Sequence, residues 1–498
     1  MSTAQFRLAI LAIILLTIVE RLPSILHNYP IDDESVYAVV AGEMVDGGRP
    51  YIDAIERKPP LLFWTYAAVF KTFGKYNWTA LHLVALAWTT LTMVGLFVAA
   101  SSLFDRRAGL AAALLYGIFQ PWAILKNHAL NGELLMNLPI AWAYAIAFQR
   151  SGRKSRPELL MAGALLALAF LHKQPAAIAA LPLGIYLILP AYRSARGLNR
   201  GQAISHASMM SAGFVATLAL CAFVLWKEQI LRDAIYWSIG DHAPRQFFWQ
   251  RGLGMTLAFI VCCLPLLIGA GMARDFAIWE GRHAERTVLL LLIGVSILGT
   301  VAGTRFYPHY YIQLILPLTL FAAPSVAKIL SGETESTSKL RPGAMYLWLG
   351  LTVAGFVIGA CLTSDFDPPA AATAQFVREH SHPTDRIFVW GHEATIYSDA
   401  QRRPACRYIT TFPLTGYLFG GTANAAQARG WIRPGAWQTL AEDFAKHPPA
   451  LIIDTQKYSR APYPVKDFPI LANLLATSYV AIGETDDSII YARKSSAP

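Results

Sequence analysis

Apolar residues in this chain gather into runs of about 17 to 24 positions separated by short basic segments, the length at which a helix crosses the hydrocarbon layer of a bilayer. The runs fall near 5–26, 79–103, 108–125, 133–148, 158–171, 175–192, 207–226, 252–273, 287–303, 310–330 and 343–363 and predict eleven spans. The first opens with Arg7 and closes with Glu20 and Arg21, and no small-residue cleavage site follows it. It is expected to remain as a signal anchor with the N-terminus in the cytoplasm.

Basic residues mark every second loop: Arg106 and Arg107; Arg150, Arg153, Lys154 and Arg156; Arg193, Arg196 and Arg200; Arg274, Arg282 and Arg286; Lys339 and Arg341. Cytoplasmic loops keep positive charge, so these loops are expected to face the cytoplasm. With an odd number of spans, everything after about residue 364 is expected on the far side of the membrane. The apolar stretch Leu61–Phe73 would invert that pattern if it crossed, and it is short for a span. It is expected at the membrane surface, a core or re-entrant helix being the other reading.

The tail changes character. Asp385–Gly391 and Ala450–Asp454 read as buried strands, Thr373–His380 and Trp437–Lys446 as helices, and 479–493 as a hairpin turning at Thr485–Ser488. The expected organisation is a polytopic α-helical membrane domain over 1–363, with a long first outer loop at 27–78, and a small periplasmic α/β domain over 364–498. Composition agrees: 55% of the 498 residues are hydrophobic and 15% charged, against about 25% charged in ordinary soluble domains. This excludes a disordered chain. The formal charge of +10 sits between apolar runs, where it speaks for a bilayer and against nucleic acid. Five cysteines, four of them in or beside apolar runs, suggest neither a disulfide framework nor a metal cluster.

Candidate chemistry concentrates in the first outer loop. It opens with Asp32, Asp33 and Glu34, followed by Tyr37, and continues through Gly47–Tyr51, Asp53 and Glu56–Pro60. Three adjacent carboxylates repel one another unless a cation, a proton or solvent relieves them. Val36, Val39, Val40 and Met44 recur at helical spacing, which suits an interfacial helix. Asp32 or Asp33 capping that helix would account for one acid, but not for all three. The loop 227–251, with Trp237, Phe247, Phe248 and Trp249, suits stacking on sugar rings or anchoring an interfacial helix equally well.

These residues resemble the first loop of GT-C membrane glycosyltransferases of the protein O-mannosyltransferase and aminoarabinose transferase type, which include lipopolysaccharide galacturonosyltransferases. The resemblance rests on Asp33-Glu34-x-x-Tyr37, Gly48-x-Pro50-Tyr51-x-Asp53 and Lys58-Pro59-Pro60, and continues at Phe170–Pro175 and at Arg305–Tyr310. It implies transfer of a sugar from a polyprenyl-phosphate donor to a lipid A, lipopolysaccharide-core or other surface-glycan acceptor. Under it, Asp33 would take the acceptor proton with Asp32 and Glu34 beside it. Lys58, Lys173, Arg305 and Tyr310 would hold the donor phosphate, and in-line attack would invert the anomeric centre. Tyr37, Asp53, Glu133 and His309 are further candidates.

Plainer readings stand beside these. Lys173 would snorkel to the headgroups, Arg305 would anchor an aromatic belt, His309 would be a hydrogen-bonded structural residue, and Glu133 would be a helix-start acid. The chain departs from the resemblance at His172, where Thr is usual, and at Arg57, which precedes Lys58 where aminoarabinose transferases carry an acid. A divalent ion bridging the donor phosphate is compatible with these acids and His, but no ligand spacing assigns its site. A carrier or flippase for lipid-linked sugars would share the basic lipid site; such proteins usually show repeated halves, which this chain lacks. A glycan polymerase or ligase would use the same donor class without calling for Asp33.

Overall fold

The computed structural model describes all residues except 1, 27–29, 32, 122–127, 150–155, 241–245, 333–341, 365–369, 419–420, 422–423, 456–462, 486–487 and 495–498. The chain forms two compact units. One is made of 1–28, 79–224 and 247–365, the other of 29–78, 225–246 and 366–498. The first outer loop and the tail, 300 residues apart in sequence, therefore belong to one body.

Among its described residues the first unit has helices and no strand, and each of the eleven apolar runs contains at least one described helical segment. Among the described residues five helices are long and apolar enough to cross a bilayer, Thr3–Leu26, Trp78–Leu103, Arg200–Lys227, His283–Ala302 and Pro308–Leu330. A sixth would be the pair Trp249–Cys262 and Leu264–Met272, bent by 74°. The expected straight run 252–273 is broken because Cys263 leaves helical dihedrals (φ −97°, ψ 16°) and Pro265, near the start of the next helix, has no N–H to continue the ladder. Run 175–192 is likewise divided into the 3₁₀ turn Gln174–Ala179 and the helices Ala180–Ile188 and Pro190–Ala195.

Polar side chains tie the helices at their ends. Asp105 and Asn131 cap their helices by accepting the N–H groups of Ala108 and Leu134, each at 2.9 Å. Arg21, fully buried on the opening helix, donates to Gln120 Oε1 at 2.6 Å and to the carbonyl of His128 at 3.2 Å. A cation in an apolar run persists when such partners surround it.

The second unit is built on a five-stranded sheet, β1 (Arg386–Trp390), β2 (Arg403–Pro404), β3 (Leu451–Asp454), β4 (Tyr479–Glu484) and β5 (Ile489–Arg493), in the order β2-β1-β3-β5-β4. β1 runs parallel to β2 and β3, whereas β5 is antiparallel to both β3 and β4. The strands and helices expected in the tail are present. The two-residue β2 has too short a pattern to be read from sequence. The expected turn at Thr485–Ser488 includes residues outside those described. From the first loop come the helices Glu34–Val45 and Pro60–Phe73. The first was expected to present one apolar face at an interface; it is instead buried from Tyr37 to Glu43 around its whole circumference, because it packs on Pro60–Phe73 and on Thr395–Ala400.

Candidate active site

In the second unit, the chain enters the helix Glu34–Val45 through Asp33, which sits at the N-cap (φ −69°, ψ −6°) without any side-chain capping bond. Glu34 does the local work: fully buried, it accepts the N–H of Ile31 at 2.8 Å through Oε2, close to the partial positive charge of a helix start. The Asp33 carboxylate points elsewhere. Its Oδ2 accepts the Tyr37 hydroxyl at 2.9 Å and lies 3.8 Å from Lys58 Nζ, and the Asp33 side chain is 41% exposed. Asp32 lies outside the described residues.

Lys58 also faces Glu56 Oε1 at 3.4 Å and stands over the Tyr37 ring at 5.4 Å. Its backbone is fixed by the buried Tyr51, whose hydroxyl donates to the Lys58 carbonyl at 2.7 Å, and by Ser238, which donates to the same oxygen at 3.2 Å. Tyr51 adopts φ +67°, a left-handed conformation costing about 1–3 kcal/mol for a bulky residue. Edge contact of its ring with Phe63 helps offset that cost. Asp53 serves the loop backbone instead, accepting the Arg49 N–H at 2.7 Å and closing the turn of residues 49–53 in an exposed ion pair with Arg49.

In the first unit, Glu133, Lys173, His309 and Tyr310 converge. Glu133 begins the helix Gly132–Phe148, and its buried Oε1 lies 2.8 Å from Lys173 Nζ and 4.0 Å from His309 Nε2. Its Oε2 is buried without a hydrogen-bond partner among the described residues. Lys173 Nζ stands over the Tyr310 ring at 5.5 Å, and His309 packs edge-on against Tyr310. Gly132 makes this approach feasible, since a Cβ there would come within 2.8 Å of Lys173 Cδ and 3.1 Å of the His172 carbonyl. Lys173 thus sits in a buried pair, which sets aside the plainer alternative of a side chain reaching for headgroups. His172 turns its Nδ1 toward the Leu168 carbonyl at 2.9 Å and its ring edge toward Trp88.

Arg305 is half-buried, and its guanidinium makes no hydrogen bond or ion pair with a described residue. Its backbone is constrained on both sides, with Thr304 at φ +56° and Phe306 at φ +49°. The Phe248 N–H donates to the Thr304 carbonyl at 2.9 Å and Arg251 donates to that of Arg305 at 3.4 Å. Two strained residues persist only where the surroundings fix them, a pattern common at ligand sites.

One functional feature escaped sequence reasoning. Glu43, 2% exposed, receives two hydrogen bonds from Arg403 at 2.8 and 2.6 Å and lies 3.7 Å from Arg386. Asp46 joins Arg403 at 3.6 Å and Lys75 at 2.7 Å. This network clamps the helix that begins at Asp33 onto the sheet. Its one trace in the sequence was a lone acid inside the apolar stretch 36–45, whose partner stands 360 residues later. Among the described residues, no three His, Cys, Asp or Glu side chains gather as metal ligands.

The fold, a helical unit and a unit built on a small mixed sheet, has counterparts among solved structures. The chain superposes on ArnT from Cupriavidus metallidurans in the apo state with a TM-score of 0.64 at 13% identity, over 99% of this chain and 98% of that one. The same protein bound to undecaprenyl phosphate gives 0.60 at 14% identity, with the same coverage. The oligosaccharyltransferase AglB from Archaeoglobus fulgidus, in complex with an inhibitory peptide and a dolichol-phosphate, gives 0.55 at 12% identity over 98% of this chain and 74% of that one. A family model described as dolichyl-phosphate-mannose-protein mannosyltransferase matches residues 57–226. No curated protein matches the sequence.

Proposed function

We propose that this protein is an inverting glycosyltransferase of a bacterial inner membrane, moving a sugar from a polyprenyl-phosphate donor to a lipid A, lipopolysaccharide-core or other envelope acceptor on the periplasmic face. The observation that carries the reading is Asp33, a carboxylate at a helix start that is not spent on the cap and is held between the Tyr37 hydroxyl and the Lys58 ammonium. An acceptor hydroxyl oriented by Asp33 attacks the anomeric carbon as its proton passes to the carboxylate. The bond from that carbon to the phosphate oxygen breaks, and its electron pair leaves with the polyprenyl phosphate. That leaving group needs fixed positive charge and no general acid. Lys58, beside the Tyr37 ring and the Asp33 carboxylate, is the candidate to supply it.

The proposed lipid class is supported by what the structural relatives are bound to, undecaprenyl phosphate for ArnT and a dolichol-phosphate for AglB. The test is release of polyprenyl phosphate from labelled donor by the purified protein and by Asp33→Asn. Loss of a proton acceptor costs about 10²- to 10⁴-fold. Equal release by both removes Asp33 from the chemistry; no release with any donor favours a carrier.

A further inference from the structure

The strap that carries Lys58 is pinned along its length, and one pin comes from a distant segment that the reaction scheme leaves without a task. At the start of the strap the Ile55 N–H donates to the Arg407 carbonyl at 2.9 Å. At its end Pro59 and Pro60, with their fixed φ, lead into the helix Pro60–Phe73. Between them the Lys58 carbonyl accepts the Tyr51 hydroxyl at 2.7 Å and the Ser238 hydroxyl at 3.2 Å, and the two hydroxyl oxygens lie 3.3 Å apart. A carbonyl oxygen has two lone pairs and can take both donors. Tyr51 and Lys58 are 7 residues apart, so their bond closes a local loop, whereas Ser238 stands 180 residues further along the chain.

Ser238 lies in the π-helical turn Tyr236–Gly240, which follows the short helix Leu231–Ile235. A single π turn, bonded i to i+5, interrupts the α-helical repeat and is often found at functional sites. Trp237 packs against the core that contains Ile55, Trp390 and Tyr408, so the turn is anchored through the residue before Ser238. The consequence falls on Lys58 Nζ. It lies 3.8 Å from Asp33 Oδ2, 3.4 Å from Glu56 Oε1 and 5.4 Å from the centre of the Tyr37 ring. That position depends on where the Lys58 backbone is held, because the four-carbon stem is itself flexible. Displacing a positioned group by about 1 Å costs on the order of 10²-fold in rate.

We propose that Ser238 is a positioning residue for Lys58: together with Tyr51 its hydroxyl holds the Lys58 carbonyl, so that the ammonium stands where negative charge develops on the leaving phosphate. The assignment rests on the transferase reading above for the identity of that anion. It gives the turn Tyr236–Gly240 a part in the reaction that is played through the Lys58 backbone.

The test is a double-mutant cycle read by equilibrium binding of undecaprenyl phosphate to the full-length protein in lipid nanodiscs. Lys58→Gln is expected to weaken binding by about tenfold or more, the scale of one hydrogen bond to a charged group. Ser238→Ala should weaken it by about fivefold with Lys58 present and by less than about twofold in the Lys58→Gln background, since residues that act through one another are not additive. Ser238→Thr keeps the hydroxyl and should restore most of the affinity, with the unfolding midpoint of every variant near that of wild type. Equal weakening by Ser238→Ala in both backgrounds, or none with Lys58 present, overturns the positioning role. If Lys58→Gln binds undecaprenyl phosphate as tightly as wild type, Lys58 leaves the phosphate site and the role of Ser238 goes with it. Binding is read without turnover. A protein that shows the coupling yet releases no undecaprenyl phosphate from labelled donor would keep the positioning role and lose the transferase reading.

Discussion

Asp33 and Glu34 are adjacent carboxylates with opposite fates, and the difference lies in where a helix start sends each side chain. Glu34 folds back onto the Ile31 N–H and is sealed, while Asp33 keeps an exposed carboxylate facing Tyr37 and Lys58. Glu133 and Lys173 pose the converse case, a buried pair with one carboxylate oxygen unpartnered among the described residues. Removing one partner of such a pair leaves an uncompensated charge and costs about 3–5 kcal/mol, whereas replacing both with neutral groups is much milder. Lys173→Met should therefore lower the unfolding midpoint more than the double variant Glu133→Gln/Lys173→Met does. If the two unfold alike, the pair is not what holds these helices together.

Among the elements, the helix Glu34–Val45 matters most because both ends are fixed by different partners: Asp33 and Tyr37 work at its start, and Glu43 and Asp46 grip Arg403 at its end. Arg403→Gln leaves Glu43 buried with the more distant Arg386, at a cost of about 1–3 kcal/mol. The expected outcome is earlier urea unfolding of the second unit together with slower sugar transfer, and partial recovery of both in Arg403→Lys. Unchanged transfer in a destabilised Arg403→Gln protein would separate the clamp from the chemistry. The helical character of this segment was legible from its spacing, but its burial was not, since the surfaces that cover it come from residues 60–73 and 395–400.

For the molecule as a whole, acid response should be set by opposed groups in the second unit. His392 has its pKa depressed from 6.5 to about 4, so the unfolded chain binds a proton that the folded state refuses, and stability falls as pH drops through that window. Burial pushes Asp399 up from 3.8 to about 6; there the folded state holds the extra proton, and its stabilisation is lost as pH rises through 6. The two slopes oppose each other between pH 4 and 6. In chemical denaturation at pH 4.5 and 7, His392→Gln should shift the balance toward stability at the acid pH, and Asp399→Asn should shift it away. The same change in both variants would contradict the assignment.

What the sequence determined by itself was periodic or local: the helical character of the apolar segments, the strands and helices of the tail, the acidic opening of the first loop and the cations beside prolines and aromatics. These follow from apolar period and turn chemistry, which act over a few residues. Tertiary structure alone decided that the first loop and tail form one body, that Lys173 pairs with Glu133, that Glu43 meets Arg403, and that Arg57 and Arg433 share the Phe412 ring. Such pairings join segments from 40 to more than 300 residues apart, and charge and size in a single sequence do not encode which distant side chain desolvates against which.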